Sequence, residues 1–143
     1  MHSFEKIKPK KILIIKLKKL GDVLTTTPIT RQLRNLYPNA EIVFLAEPLG
    51  AQVYEQSVNI NDVWILNRKP SVLEYIKLCF KVYKANFDVV IDLYDHNKTA
   101  LLTLLSSAKY RLGFAKIGKK SFAYNYVLRL TDNEKTSLYS TLH

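Results

Sequence analysis

The residues best suited to chemistry lie in one short stretch, KKILIIKLKKLGDVLTTTP, residues 10–28. An apolar run passes through Lys16 to Lys18 and Lys19; Gly21 follows, then the carboxylate of Asp22, then Thr25, Thr26 and Thr27. Gly21 allows a tight strand-to-helix turn, and Asp22 then falls where the free N–H groups of a first helical turn point outward. Ligands of open α/β sheets bind beyond the carboxyl ends of the strands, which is where such a turn lies. Lys16 alternates with the apolar positions, whereas Lys18 and Lys19 belong to the loop. These lysines suit charge-assisted hydrogen bonds to acidic sugars or phosphates, or they are solvated loop cations. The threonines can offer hydroxyls to a sugar or bond the local backbone. Asp22 also reads as a plain N-cap, worth about 0.5–2 kcal/mol.

A second group, Asp92, Asp95, His96, Asn97 and Lys98, follows the run VVIDL. A parallel sheet would bring it to the same edge as Asp22. Asn97 or Asp95 is expected to cap the next helix. A metal site is not expected, because no other His or Cys is placed to complete one and His2 and His143 lie at the termini. Arg111 stands at the start of a further strand, and Gly113 reads as serving a tight bend. Cys79, the single cysteine, falls in an apolar helical pattern and reads as an inert core thiol.

The elements that must position these groups alternate along the chain. Ile12 to Leu17 is a strand, and its nearly continuous apolar run suits burial on both faces. A helix is expected from Gly21 to Tyr37, interrupted near Pro28, with Leu24, Ile29, Leu33 and Leu36 as its apolar side. Glu41 to Ala46 is a second strand, followed by a short helix from Ala51 to Gln56 and a third strand from Val63 to Leu66. Ser71 can cap the next helix, with Glu74 completing a capping box, and that helix runs to Asn86. Its apolar side is expected to be Val72, Ile76, Cys79, Phe80 and Tyr83, with Lys77, Lys81 and Lys84 as a basic stripe. That stripe reads as a solvated face or, with Tyr75 and Phe87, as a surface for an anionic leaflet. Val89 to Leu93 is a fourth strand, Lys98 to Ala108 a helix, and Arg111 to Phe114 a short fifth strand. Lys116 to Lys120 is a basic loop; Phe122 to Leu130 is a strand or irregular, and Thr131 to His143 is polar. Strands alternating with helices predict an α/β, Rossmann-like three-layer domain with a mostly parallel sheet.

The 143 residues suffice for one domain, with 48% hydrophobic and 24% charged residues. No apolar run approaches the ~20 residues of a membrane span, and the N-terminus lacks the apolar core of a secretory signal. A cytoplasmic location is expected. Lysine plus arginine outnumber aspartate plus glutamate by 22 to 12, a formal charge of +10. Such a surplus favours anionic partners. Nucleic acid is disfavoured among them, for want of zinc-finger spacing or a Gly-rich aromatic RNA-binding motif. A dinucleotide-dependent dehydrogenase is disfavoured by the lack of G-x-G-x-x-G at the first turn.

Two segments, ILIIKLKKLGDVLTTTPITRQLRNLYPNAEIVFL (12–45) and FDVVIDLYDHNKTALLTLLSSAKYRLGF (87–114), carry a resemblance to a known family. A hydrophobic strand, Gly-Asp, a Thr-rich turn ending in Pro, an amphipathic helix and Tyr-Pro-x-Ala open the N-terminal half of the lipopolysaccharide heptosyltransferases, glycosyltransferase family nine. The second segment resembles that family's Asp-Val-x-Ile-Asp-x-x-Gly-x-x-Lys-Ser-Ala followed by Arg-x-Gly-Phe. Asp95 stands where the family commonly has Gly, and Thr99 where Ser is usual. The resemblance implies the N-terminal half of a GT-B architecture: residues 1–130 as an acceptor-side domain and 131–143 as the start of a linker or tail. The donor domain is not in the sequence.

It further implies inverting transfer of a heptose from a nucleotide-sugar to a lipopolysaccharide core or other anionic glycan. Asp22 would be the general base, with Lys18, Lys19, Gly21, Thr25, Thr26, Lys98 and Arg111 binding the acceptor. No metal cofactor is implied, and an ADP-heptose-like donor enters only through the other domain. The chain is therefore expected to be inactive alone, either needing a separate C-terminal domain chain or being a truncated product, and to work in the cytoplasm or at the cytoplasmic face of the inner membrane. The alternative is a non-catalytic module, or a remnant of such an enzyme, that binds glycan or anionic lipid.

Overall fold

Ile12, Leu13, Ile14 and Ile15 have no solvent exposure at all, the mark of a strand covered on both faces. They form β1 (Lys11–Ile15). The computed structural model describes residues 8–17, 20–94, 96–113 and 123–127. After β1 come α1 (Leu20–Leu24), α2 (Thr27–Leu36), β2 (Glu41–Ala46), α3 (Pro48–Ala51) and β3 (Asp62–Ile65). They are followed by α4 (Val72–Ala85), β4 (Val89–Asp92), α5 (Asn97–Leu105), β5 (Tyr110–Gly113) and β6 (Tyr126–Val127).

The described strands form one sheet in the order β3-β2-β1-β4-β5-β6, every pair parallel. In register, Ile14 lies between Phe44 of β2 and Ile91 of β4. Alternate residues of β1 serve opposite cores. Ile12 and Ile14 pack with Val23, Leu33, Phe44 and Tyr54 on the side of α1 to α3. Leu13 and Ile15 pack with Leu78, Val82, Val90 and Leu102 on the side of α4 and α5. The result is the expected three-layer, Rossmann-like arrangement.

Local signals fix most boundaries. The expected break at Pro28 is real: α1 ends at Leu24, and Pro28 enters α2 in its first turn, where a missing N–H is harmless. Ser71 caps α4, its Oγ accepting from the Glu74 N–H at 3.1 Å. The Glu74 carboxylate turns instead to Asn67 Nδ2 at 3.2 Å, so the expected box is half made. Residue Asn86 closes α4 in the left-handed region, with φ 55°.

Four expectations about the helices and their flanking residues are corrected here. The helix expected over 51–56 lies earlier, at Pro48–Ala51, because Pro48 opens it and turns follow. The N-cap of α5 is His96 rather than Asn97 or Asp95. Helix α4 buries Leu78 and Val82, while Val72, Ile76, Phe80 and Tyr83 face outward. Phe87 is buried edge-on against Trp64 at 5.5 Å and offers nothing to a surface. The basic loop 116–120, residues 131–143, Asp95 and Phe114 fall outside the described residues.

Gly113 serves no bend. A Cβ there would lie 2.6 Å from the ring of Tyr124, which crosses directly over it. The Tyr124 hydroxyl donates to Asp92 Oδ2 at 2.5 Å, so this crossing joins the β5–β6 edge to the end of β4. Gly113→Ala is expected to cost about 1–3 kcal/mol by overpacking, read as a lower midpoint in urea unfolding.

Candidate active site at the carboxyl edge of the sheet

β1 and β4 are neighbours, yet the chain leaves β1 toward β2 and returns to β4 only after β3. The strand order reverses between them, and ligands of such sheets bind above this switch point. Segments leaving β1, β2, β3 and β4 meet at the same edge because the strands are parallel.

Lys16 braces this edge. It is fully buried, and its Nζ donates to the Leu93 carbonyl at 3.1 Å. Its backbone N–H donates to the Leu45 carbonyl at 3.0 Å. One residue thus ties the ends of β1, β2 and β4. Asp92 is likewise buried, its Oδ1 accepting from the Tyr94 N–H at 2.9 Å and its Oδ2 from Tyr124. Both groups hold the frame on which the edge is built.

Asp22 occupies the third position of α1, one turn after β1, so it is not the N-cap of that helix. Its side chain lies outside the description, as do Lys18 and Lys19 entirely. Gly21 precedes Asp22 inside the helix, without positive φ, and a Cβ added there would meet nothing within 4 Å. The turn therefore does not need glycine, contrary to the expectation from sequence. Thr25, partly exposed, follows α1.

From β4, Tyr94 stacks on His96 with ring centroids 5.2 Å apart, and exposed Lys98 stands in the first turn of α5. The Lys98 carbonyl accepts from the Tyr75 hydroxyl at 2.6 Å, which locks α5 to α4 at this end. Burial pushes the Tyr94 phenol above its ordinary range; the negative charge of Glu47 adds to this and Arg68 opposes it. Glu47 and Arg68 follow β2 and β3. Their convergence on Tyr94 depends on strand order alone, which is why no local motif reveals it.

Two expected acceptor-binding residues do other work. Thr26 is fully buried, its Oγ1 donating to the Val23 carbonyl and sharing a 2.5 Å hydrogen bond with Tyr54. Its hydroxyl bridges α1 to the segment after α3 and is not presented to the edge. Arg111 pairs in register with Val90, two residues short of the carboxyl end of β4. Its Nε donates to the Ala123 carbonyl at 2.9 Å and its Nη1 to the Ala108 carbonyl at 3.0 Å. That guanidinium pins the backbone around β5 and β6.

No protein-family model matches the chain. It is 32% identical over 97 residues to lipopolysaccharide heptosyltransferase 3 of Escherichia coli, covering 64% of this chain and 28% of the relative. A second relative of that name, from Escherichia coli strain K12, is 30% identical over 115 residues, 73% of this chain and 33% of its own length. Among solved structures, a glycosyl transferase family 9 protein from Veillonella parvula superposes with TM-score 0.74. It is 23% identical, over 93% of this chain and 41% of that one. Escherichia coli heptosyltransferase WaaC, solved with ADP-2-deoxy-2-fluoro heptose, superposes with TM-score 0.72 and 21% identity, over 92% and 45%.

The chain belongs to the heptosyltransferase-type glycosyltransferase family.

It spans about a third of the curated relatives' length and under half of the solved structures. In this family member the expected Gly21 and Thr26 roles separate cleanly by stability. Gly21→Ala is expected to leave unfolding free energy unchanged or raised by about 0.4–1 kcal/mol. Thr26→Val removes one hydrogen bond each from the Val23 carbonyl, which keeps the Thr26 N–H at 3.0 Å, and from the Tyr54 hydroxyl, which keeps Thr30, and is expected to cost about 0.5–1.5 kcal/mol. Chemical denaturation of the two variants checks both.

Proposed function

We propose that this chain is the acceptor-side half of an inverting heptosyltransferase-type enzyme of lipopolysaccharide assembly. In this reading the Asp22 carboxylate takes the proton of an acceptor sugar hydroxyl. The hydroxyl oxygen attacks the anomeric carbon of a nucleotide-activated heptose from the face opposite the leaving group. The carbon–oxygen bond to the nucleoside diphosphate breaks, and the configuration inverts. Lys98, with Lys18, Lys19 and Thr25, meets the anionic acceptor through charge-assisted hydrogen bonds. The donor is held by a second domain supplied in the rest of a longer protein or by a separate chain.

One observation carries the proposal: the helix bearing Asp22 and the helix bearing Lys98 leave adjacent parallel strands at the same edge. The contribution of a base at this position rests on its alignment with the hydroxyl in the transition state.

Asp22→Asn tests the assignment in the chain combined with a family donor domain. Transfer from ADP-heptose to a core acceptor is expected to fall about 10²–10⁴-fold, the usual worth of a positioned general base. Unfolding free energy should change by no more than about 1 kcal/mol, the scale of a lost dipole interaction. Unchanged transfer by the variant contradicts the base assignment. Acceptor binding without transfer in the unmutated combination favours the non-catalytic module.

A further inference from the structure

The sequence pattern of α4 has two apolar stripes, and only one of them is buried. Leu78 and Val82 enter the core, with Tyr75, Cys79 and Ala85 half-covered beside them. The second stripe, Ile76, Phe80 and Tyr83, faces outward, with Phe80 60% and Tyr83 54% exposed. On α5 the same division occurs. Ala100 and Leu102 are buried, while Leu101, Leu104 and Leu105 are exposed. The two outward stripes border one shallow groove of about 500 Å³ between the helices. Single exposed leucines are ordinary on a soluble surface, but six contiguous large apolar side chains are not.

The charge around this strip has one sign. Lys77 and Lys84 are exposed along the outer flank of α4, Lys98 stands at the start of α5, and exposed Lys109 follows its end. Lys81 folds back over the Trp64 ring at 4.2 Å. The one acidic residue within either helix is Glu74, already bonded to Asn67. A two-fold contact with a second copy would bring these lysines against themselves. An anionic bilayer meets both features, taking the apolar side chains between its headgroups and the ammonium groups at its phosphates.

We propose that the outward face of α4 and α5 docks on an anionic phospholipid surface. The strip starts beside the Tyr75–Lys98 hydrogen bond, at the carboxyl edge, and runs down both helices away from it. Docking there sets the candidate active site at the rim of the contact rather than under it. The inference stands independently of the transfer reading, since it needs no catalysis.

Flotation of the full 143-residue chain with vesicles tests it. Vesicles of phosphatidylcholine with ~30% phosphatidylglycerol should retain the chain, and pure phosphatidylcholine should not. Raising the salt from low to 1 M should release most of the bound protein, as screening shortens to about 3 Å. Ile76→Ser with Phe80→Ser, both surface changes, should weaken partitioning at least ~10-fold. Lys77→Glu with Lys84→Glu, chosen to spare Lys81 and the apolar groove, should also weaken it at least ~10-fold. Unchanged circular dichroism shows that each variant is folded. No retention by anionic vesicles overturns the proposal, as does retention indifferent to either pair. Self-association that the serine pair abolishes, without vesicle binding, overturns it in favour of a second copy.

Discussion

Everything in this molecule depends on β1 being sandwiched, edge to edge, between β2 and β4 while both its faces are covered. No water reaches its backbone, so its peptide groups must be satisfied by the two neighbouring strands, in parallel and in one register. A one-residue slip would exchange Ile12 and Ile14 for Leu13 and Ile15 across the sheet and spoil both cores at once. Because β2 and β4 both start from this strand, their carboxyl ends finish level with its own. The edge above them is thereby built before any functional side chain is chosen.

The buried polar groups are distributed to keep that edge in shape. Lys16 ties three strand ends from below, and Asp92 accepts from Tyr94 on one side and Tyr124 on the other. Gly113 clears the path that lets Tyr124 arrive. At the opposite edge Asp88 accepts from the backbone of Lys10 and Lys11, and Arg34 donates to the carbonyls of Pro38, Ala40 and Asn59. Hydrogen bonds to charged groups are stronger than neutral ones, and they appear here at both ends of the sheet. The residues free to meet a ligand are then those outside this frame.

How much of this is legible in the sequence follows from which features are local. The apolar run of β1, the Pro28 break and the Ser71 cap are written in adjacent residues, and they come out where the pattern puts them. The sheet follows from the alternation of strands and helices. The site is harder. Thr26 and Arg111 look like sugar-binding groups in isolation, but their partners, Tyr54 and the carbonyls of Ala108 and Ala123, are fixed by packing. Glu47 and Arg68 are ordinary loop residues until strand order brings them to Tyr94. In α4 a helical period cannot choose between Leu78 with Val82 and Ile76 with Phe80, since both stripes are apolar. The core takes the first and leaves the second as surface.

The central claim is that ligand-facing groups leave β1 and β4 at one edge and share one acceptor. Amide chemical-shift mapping tests it most directly, with the isotope-labelled chain titrated by a phosphorylated core oligosaccharide. The account predicts saturable shifts concentrated in two separated segments, Gly21–Thr25 and Tyr94–Lys98. Shifts confined to one of them, or gathered around Lys10, Ala40 and Asp88 at the far edge, would contradict it.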